Sequence, residues 1–182
     1  MKKLGIKQIH NFISTELPER IFEKYRNYEI LSEADLQSHV WDLLSKYFAE
    51  NEEKLGLYKV LNKPYFKEVR IHPDLVIFRR GKPFITIELK EWRKPKQESA
   101  KRELQRLINA KQHFNEHHEY KIKRGYLIYL SWYNVGRIID GPKGNAARFF
   151  FEIPIVPENF STTELKNWKS GFKKWAKYVD KP

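Results

Sequence analysis

Asp74, Glu88 and Lys90 lie in two segments, "IHPDLVIF" and "PFITIELK", that otherwise read as sheet interior, joined by "RRGK". A turn centred on Gly81, with Arg80, Gly81 and Lys82 as a three-residue loop, places Asp74 opposite Glu88, whereas a two-residue loop shifts the pairing by one. Alternation along the second segment puts Phe84, Thr86, Glu88 and Lys90 on one face and Ile85, Ile87 and Leu89 on the other. Two neighbouring carboxylates repel unless a cation lies between them, and a hard divalent ion such as Mg²⁺ suits oxygen ligands of this kind. The competing reading is a surface strand on which Glu88 and Lys90 pair with each other while Asp74 follows Pro73 in a turn.

The elements that must position these residues follow a helix, strands, helix order. "SEADLQSHVWDLLSKYF" spaces Leu36, Val40, Leu43, Leu44, Tyr47 and Phe48 at helical offsets, with Ser32 and Asp35 as its cap. Glu33 falls on the first turn of that apolar stripe, while Asp35 falls with His39, Asp42 and Lys46 on the polar face. Strands are expected at "LYKVL", "EVRIHPDLVIF" and "PFITIELK", followed by a basic loop and a helix from about Glu98 to Asn115. "GYLIYLSWY" is apolar on both faces, as a strand covered on both sides would be, and another strand is expected near "ARFFFEIPIV". Residues 4 to 31 show helical spacing in pieces, with Pro18 suited to a first turn. The final helix starts at Ser161 with Glu164 and carries Leu165, Trp168, Phe172, Trp175 and Val179 on one stripe, with Lys166, Lys169, Lys173 and Lys177 off it.

Composition sets the wider bounds. The chain has 182 residues, 41% hydrophobic and 15% aromatic, enough for one compact domain with its own core. A net charge of +12 favours a polyanionic partner. There is no cysteine, which excludes disulfides and cysteine-based zinc sites, and no apolar run approaches a signal sequence or a membrane span. The expected location is cytoplasmic, with no membrane partner. Around Trp92, eight cations (Lys90, Arg93, Lys94, Lys96, Lys101, Arg102, Arg106, Lys111) face three carboxylates (Glu91, Glu98, Glu103), a balance suited to a nucleic-acid backbone. Trp92 is either a stacking residue for a base or a core residue at the strand exit. His113 and His117 are one helical turn apart, but no third zinc ligand is evident, so they and His118 are read as residues at a helix end.

Pro73-Asp74, thirteen intervening residues, then Glu88-Leu89-Lys90, with Glu33 on a preceding helix, resembles the PD-(D/E)XK nuclease superfamily. The resemblance covers roughly residues 30 to 135. It implies an α/β fold with a restriction-endonuclease-like three-layer core, a central mixed β-sheet flanked by helices. The expected domain is 1–182, with an N-terminal helical segment and a C-terminal strand and basic helix around that core. It further implies an Mg²⁺-dependent deoxyribonuclease, Mn²⁺ substituting, that hydrolyses phosphodiester bonds, most simply as an endonuclease. Asp74, Glu88 and the Leu89 backbone carbonyl would hold the metal, Glu33 would reach it directly or through water, and Lys90 would orient or help deprotonate the attacking water. Gln105 is the polar residue expected from the following helix, with Lys101, Arg102 and Gln112 as competitors. Trp92, Arg93, Lys94, Lys96, Lys101 and Arg102 would bind nucleic acid, DNA ahead of RNA, and a homodimer is admitted. The alternatives are a silent nucleic-acid-binding module on the same fold and a Holliday-junction resolvase.

Overall fold

The computed structural model describes residues 5–51, 57–67, 72–92, 97–117, 121–131 and 149–155, with the isolated residues 163, 166, 167 and 170. Its element order is α1 (Ile6–Asn11), a π turn (Phe12–Glu16), α2 (Leu17–Arg26), α3 (Glu33–Asn51), β1 (Tyr58–Asn62), β2 (Leu75–Arg79), β3 (Lys82–Trp92), α4 (Gln97–His117), β4 (Arg124–Ser131) and β5 (Phe150–Ile155). The strands form one five-stranded sheet in the order β1-β2-β3-β4-β5. β1, β2 and β3 are an antiparallel meander, and β4 and β5 join it in parallel, so the sheet is mixed. The fold is therefore α/β, with helices against both faces of a mixed sheet.

β4 carries the alternation that builds both layers. Tyr126, Ile128 and Leu130 enter the larger core with Ile85, Ile87 and Leu89 of β3, Leu36, Val40 and Leu44 of α3, and Ile9, Ile13 and Ile21 of the N-terminal helices. Leu127 and Tyr129 pack the other way, against Leu104 and Leu107 of α4 and Phe150 of β5. A strand covered on both faces has no polar side to show, which is why its sequence runs apolar without a break. The N-terminal helices thus belong to the same core as α3. The π turn ends just before Pro18, which has no N–H for the Ser14 carbonyl and would crowd it, so the wider turn lets one helical path continue into α2.

The β2–β3 hairpin reaches the expected pairing by an unexpected route. Its turn has two residues, Arg80 and Gly81, at φ 52° and 74°, and Lys82 already belongs to β3. Two positive φ values in a two-residue loop match the right-handed twist of the strands it joins. Near the turn Phe78 pairs with Pro83, but after a bulge Ile77 pairs with Ile85 and Leu75 with Ile87. Phe84 is the extra residue, and it packs in the larger core beside Ile85 instead of on the Thr86 face. Its ring lies 5.9 Å from that of Tyr58.

β2 begins only at Leu75, so His72, Pro73 and Asp74 precede the strand, and residues 68 to 71 of the expected longer strand lie outside the described residues. Proline at 73 supplies no ladder hydrogen bond, a reason for the late start. Of the expected C-terminal helix, Thr163, Lys166, Asn167 and Ser170 are helical and exposed, while its apolar stripe lies outside the described residues. Among the described residues no helix is long and apolar enough to cross a membrane.

Candidate acidic site at the end of the meander

Each site residue is held by a different element. The cap of α3 matches its sequence: the Asp35 carboxylate accepts the Ser32 N–H at 3.0 Å, and Ser32 Oγ accepts the Asp35 N–H at 3.2 Å. Asp35 is committed there, and Glu33, the next acidic residue on that turn, is the one that faces the sheet. Its carboxylate accepts from Lys90 Nζ at 3.2 Å. Helical spacing suggests a buried Glu33, but its side chain keeps 45% of its surface exposed.

Asp74 is fixed through both backbone and side chain. Its carbonyl accepts the Lys63 N–H at 2.9 Å and Gln37 Nε2 at 2.9 Å. Its Oδ2 accepts the Leu89 N–H at 2.8 Å. β2 starts at Leu75 while β3 runs on to Trp92, so beyond Ile87 the β2-side edge of β3 has no strand partner in β2. The Asp74 carboxylate takes the first of those free amides. Within an extended strand a residue's N–H and C=O face the same neighbour, so the Leu89 carbonyl is turned toward the same edge.

Glu88 and Lys90 then share one face of β3, on the side where their β4 partners Leu127 and Tyr129 meet α4. Lys90 Nζ stands 3.6 Å from Glu88 Oε1 and 3.9 Å from Asp74 Oδ2, so one ammonium serves three carboxylates. Asp74 and Glu88 are buried, at 7% and 8% exposure.

Burial sets the protonation of this group. Loss of solvent is the main cause that raises the Glu88 carboxyl, to about 8, and the charges of Asp74 and Glu103 push the same way against Lys90 and Arg106. Asp74 is also raised by burial, opposed by the Leu89 N–H and by Lys90. Lys90 loses hydration, which alone would lower it, yet the three carboxylates together hold it above its ordinary value. The site is thus a partly desolvated acidic pair with a firmly protonated ammonium.

Among the described residues no three His, Cys, Asp or Glu side chains stand close enough to hold a metal between them. The donor set suits Mg²⁺ on other grounds, since that ion commonly takes one or two carboxylates and completes its shell with water and substrate oxygens. Asp74 and Glu88 are such a pair, with the Leu89 carbonyl beside them.

Not every expected residue reaches this place. Gln105 is exposed on α4 and donates to Asn109 at 2.8 Å within its own helix. Helical phase explains the difference: Leu104 and Leu107 take the buried positions, and Glu103, half-buried and paired with Arg106 at 3.0 Å, is the α4 acid whose charge Glu88 feels. Lys101 pairs with Glu98 at 3.3 Å and Arg102 is exposed. The backbone of Trp92 ends β3, while its side chain and Arg93, Lys94 and Lys96 lie outside the described residues. His72 does not alternate with Asp74 along a strand; it is exposed and stacks on Tyr65. His113 sits edge-on to Phe114, and the side chains of His117 and His118 lie outside the described residues.

Gln37 is the residue that pattern reading missed. It is buried one helical turn after Glu33 and donates to Asn62 Oδ1 at 2.7 Å as well as to the Asp74 carbonyl. The available signal was a glutamine falling one turn before Trp41 and beside Leu36 and Val40 on a buried stripe. No family model matches this chain, and neither a curated protein nor a solved structure does.

Proposed function

We propose that the protein is a metal-dependent nuclease that hydrolyses phosphodiester bonds in DNA, acting as an endonuclease on a restriction-endonuclease-like core. The observation that carries this reading is the meeting of Asp74, Glu88 and Lys90 at the open end of β3, with Glu33 of α3 paired to the same ammonium. The order of α3, the β1–β3 meander, α4 and β4 supports it, because each of these residues then stands on the element that the resemblance assigns to it or directly beside it.

In this reading Asp74 and Glu88 would hold Mg²⁺, with the Leu89 carbonyl turned toward the same edge. The ion supplies charge neutralisation at the phosphate oxygens and a more acidic water. Lys90 adds fixed positive charge beside the scissile phosphate and orients the attacking water, an electrostatic role that does not require it to lose its proton. Glu33 keeps the Lys90 ammonium in place and accepts a hydrogen bond from water at the solvent side of the site. Gln37 and the Lys63 amide hold the Asp74 backbone, so that its carboxylate is presented without rearrangement.

The test is cleavage of supercoiled plasmid, linear duplex, single-stranded DNA and a four-way junction with Mg²⁺, Mn²⁺ or EDTA, for the wild type, Asp74→Ala and Lys90→Ala. Metal-dependent cleavage that is lost in both variants is expected. Tight DNA binding with no cleavage under any of these conditions would replace this reading with that of a binding module.

A further inference from the structure

Among the described residues two large hydrophobic side chains are exposed, Trp41 and Tyr65. Trp41 has a role in the fold, since its indole N–H donates to the Val60 carbonyl of β1 at 3.1 Å and so covers part of the sheet edge. Among the described residues Tyr65 makes no comparable hydrogen bond to the sheet. Its neighbour Phe66 is buried with Val76, Phe114 and Ile122, which anchors this part of the β1–β2 connection and turns Tyr65 outward. The Tyr65 ring then stacks on His72, with centroids 4.3 Å apart and planes inclined by 16°, and Tyr65 still keeps 53% of its surface exposed.

This pair is tied to the acidic site. The Lys63 N–H donates to the Asp74 carbonyl, and Lys63 adopts φ 45°, so the two strands of the connection are clamped at that point. Tyr65 lies two residues beyond one end of the clamp and His72 two residues before the other, each within roughly 7 Å of chain at full extension. Lys63 and Lys67 are exposed on either side of Tyr65. An open aromatic face with cations beside it is the combination that binds a single-stranded nucleic acid, the ring taking a base and the cations the backbone.

We propose that the Tyr65–His72 stack is a platform for an unpaired nucleobase of the substrate, which extends the stack by one ring and sets the adjoining phosphate toward Asp74 and Lys90. A base inside a duplex has both faces covered by its neighbours, so this platform selects substrates with an unpaired nucleotide near the cut. The inference rests on the nuclease reading for the choice of ligand.

The test is fluorescence of 2-aminopurine within a single-stranded DNA oligonucleotide, titrated with protein in EDTA so that no cleavage occurs. Binding should quench the fluorophore, Tyr65→Ala should weaken binding about tenfold and remove the quench, and Tyr65→Phe should retain both. His72→Ala should change both in the same direction as Tyr65→Ala, and it decides the matter if Tyr65→Ala does not fold. Unchanged binding and quench in the alanine variants would overturn the platform, as would an equal loss in Tyr65→Phe, which would point to a hydroxyl contact. Quenching by a wild type that cleaves no DNA with Mg²⁺ would leave the platform and remove the nuclease. Cleavage by a wild type whose single-strand binding is indifferent to Tyr65 would do the reverse.

Discussion

Gln37 Nε2 donates to the backbone carbonyl of Asp74 at 2.9 Å, so the helix that carries Glu33 also sets the position of the aspartate across the site. The same amide reaches Asn62 Oδ1 at the end of β1. One buried side chain therefore links α3, the end of β1 and the start of β2.

Replacing Gln37 with Leu should remove both hydrogen bonds and leave the Asp74 carbonyl with the Lys63 amide as its donor. The expected loss is about 1–3 kcal/mol of stability, since a buried acceptor loses a partner without gaining water. Urea unfolding checks this. Magnesium binding, followed as a shift in the unfolding midpoint, should weaken in the same variant because Asp74 is no longer held in place.

Glu88 makes stability depend on pH in a direction opposite to that of an ordinary salt-bridged carboxylate. Its carboxyl is raised from 4.5 to about 8 in the folded protein, so the native state binds this proton more tightly than the unfolded chain does. Its contribution is fully present below pH 4.5 and is lost progressively as the pH rises to about 8. Asp74, raised in the same direction, adds to the slope. Glu88→Gln should flatten this slope and raise the melting temperature at pH 8 by several degrees, on the order of 2–4 °C per kcal/mol recovered. Thermal melts of both proteins at pH 5 and pH 8, without divalent metal, measure it; equal slopes would reject the assignment.

Lys90→Met leaves Glu33, Asp74 and Glu88 around a site that has lost its ammonium. Loss of one partner from a buried charge cluster costs on the order of 3 kcal/mol. The penalty should be largest at pH 8, where Glu88 begins to ionise, and smaller at pH 5, where it is neutral. Lys90 itself is raised above its ordinary value, so its own charge is constant across that window and does not confuse the comparison. Urea melts of the variant at the two pH values test the prediction.

Gly125 lies on β4 between Thr86 and Phe150. A Cβ there would meet the Phe150 ring at 2.5 Å, well inside contact distance. Gly125→Ala should therefore destabilise the protein by about 1–3 kcal/mol. The double variant with Phe150→Leu should lose less than the sum of the two single variants, which a double-mutant cycle on thermal stability would reveal.

The elements were legible wherever one physical signal dominated. The α3 stripe, its Ser32–Asp35 cap and the two-sided apolar run of β4 follow from periodicity and sterics, whereas the pairing of Leu75 with Ile87 matches the expected register only because a two-residue turn and a bulge stand in for the three-residue loop. Strict alternation has no way to represent a bulge, and so assigns Phe84 to the Thr86 face instead of the larger core. The sequence offers Gln105, with Lys101, Arg102 and Gln112 as competitors, and does not single out Glu103, because helical phase on α4 is fixed by which leucines the sheet accepts, and that depends on packing between elements distant in sequence. Gln37 escapes pattern reading because a glutamine is equally at home on a wet surface, and its reason to be inside, the Asp74 carbonyl and Asn62 Oδ1, comes from residues distant in sequence. The exposure of Glu33 depends on how α3 sits against the sheet, which no local pattern encodes.

The bulge at Phe84 has a consequence for how this chain can vary. With Phe84 paired in the ladder, the two-residue turn would set Asp74 against Ile87 and leave Glu88 out of step, and bulging Phe84 out restores the match. Deleting Phe84 would remove the bulge yet leave Ile77 opposite Ile85 and Leu75 opposite Ile87, so the acidic residues would stay in step and the loss would fall on the larger core, which gives up a ring. At the present chain length the acidic register can be kept in two ways, by the bulge or by a three-residue turn that returns Phe84 to the ladder, and only the first gives the larger core the Phe84 ring.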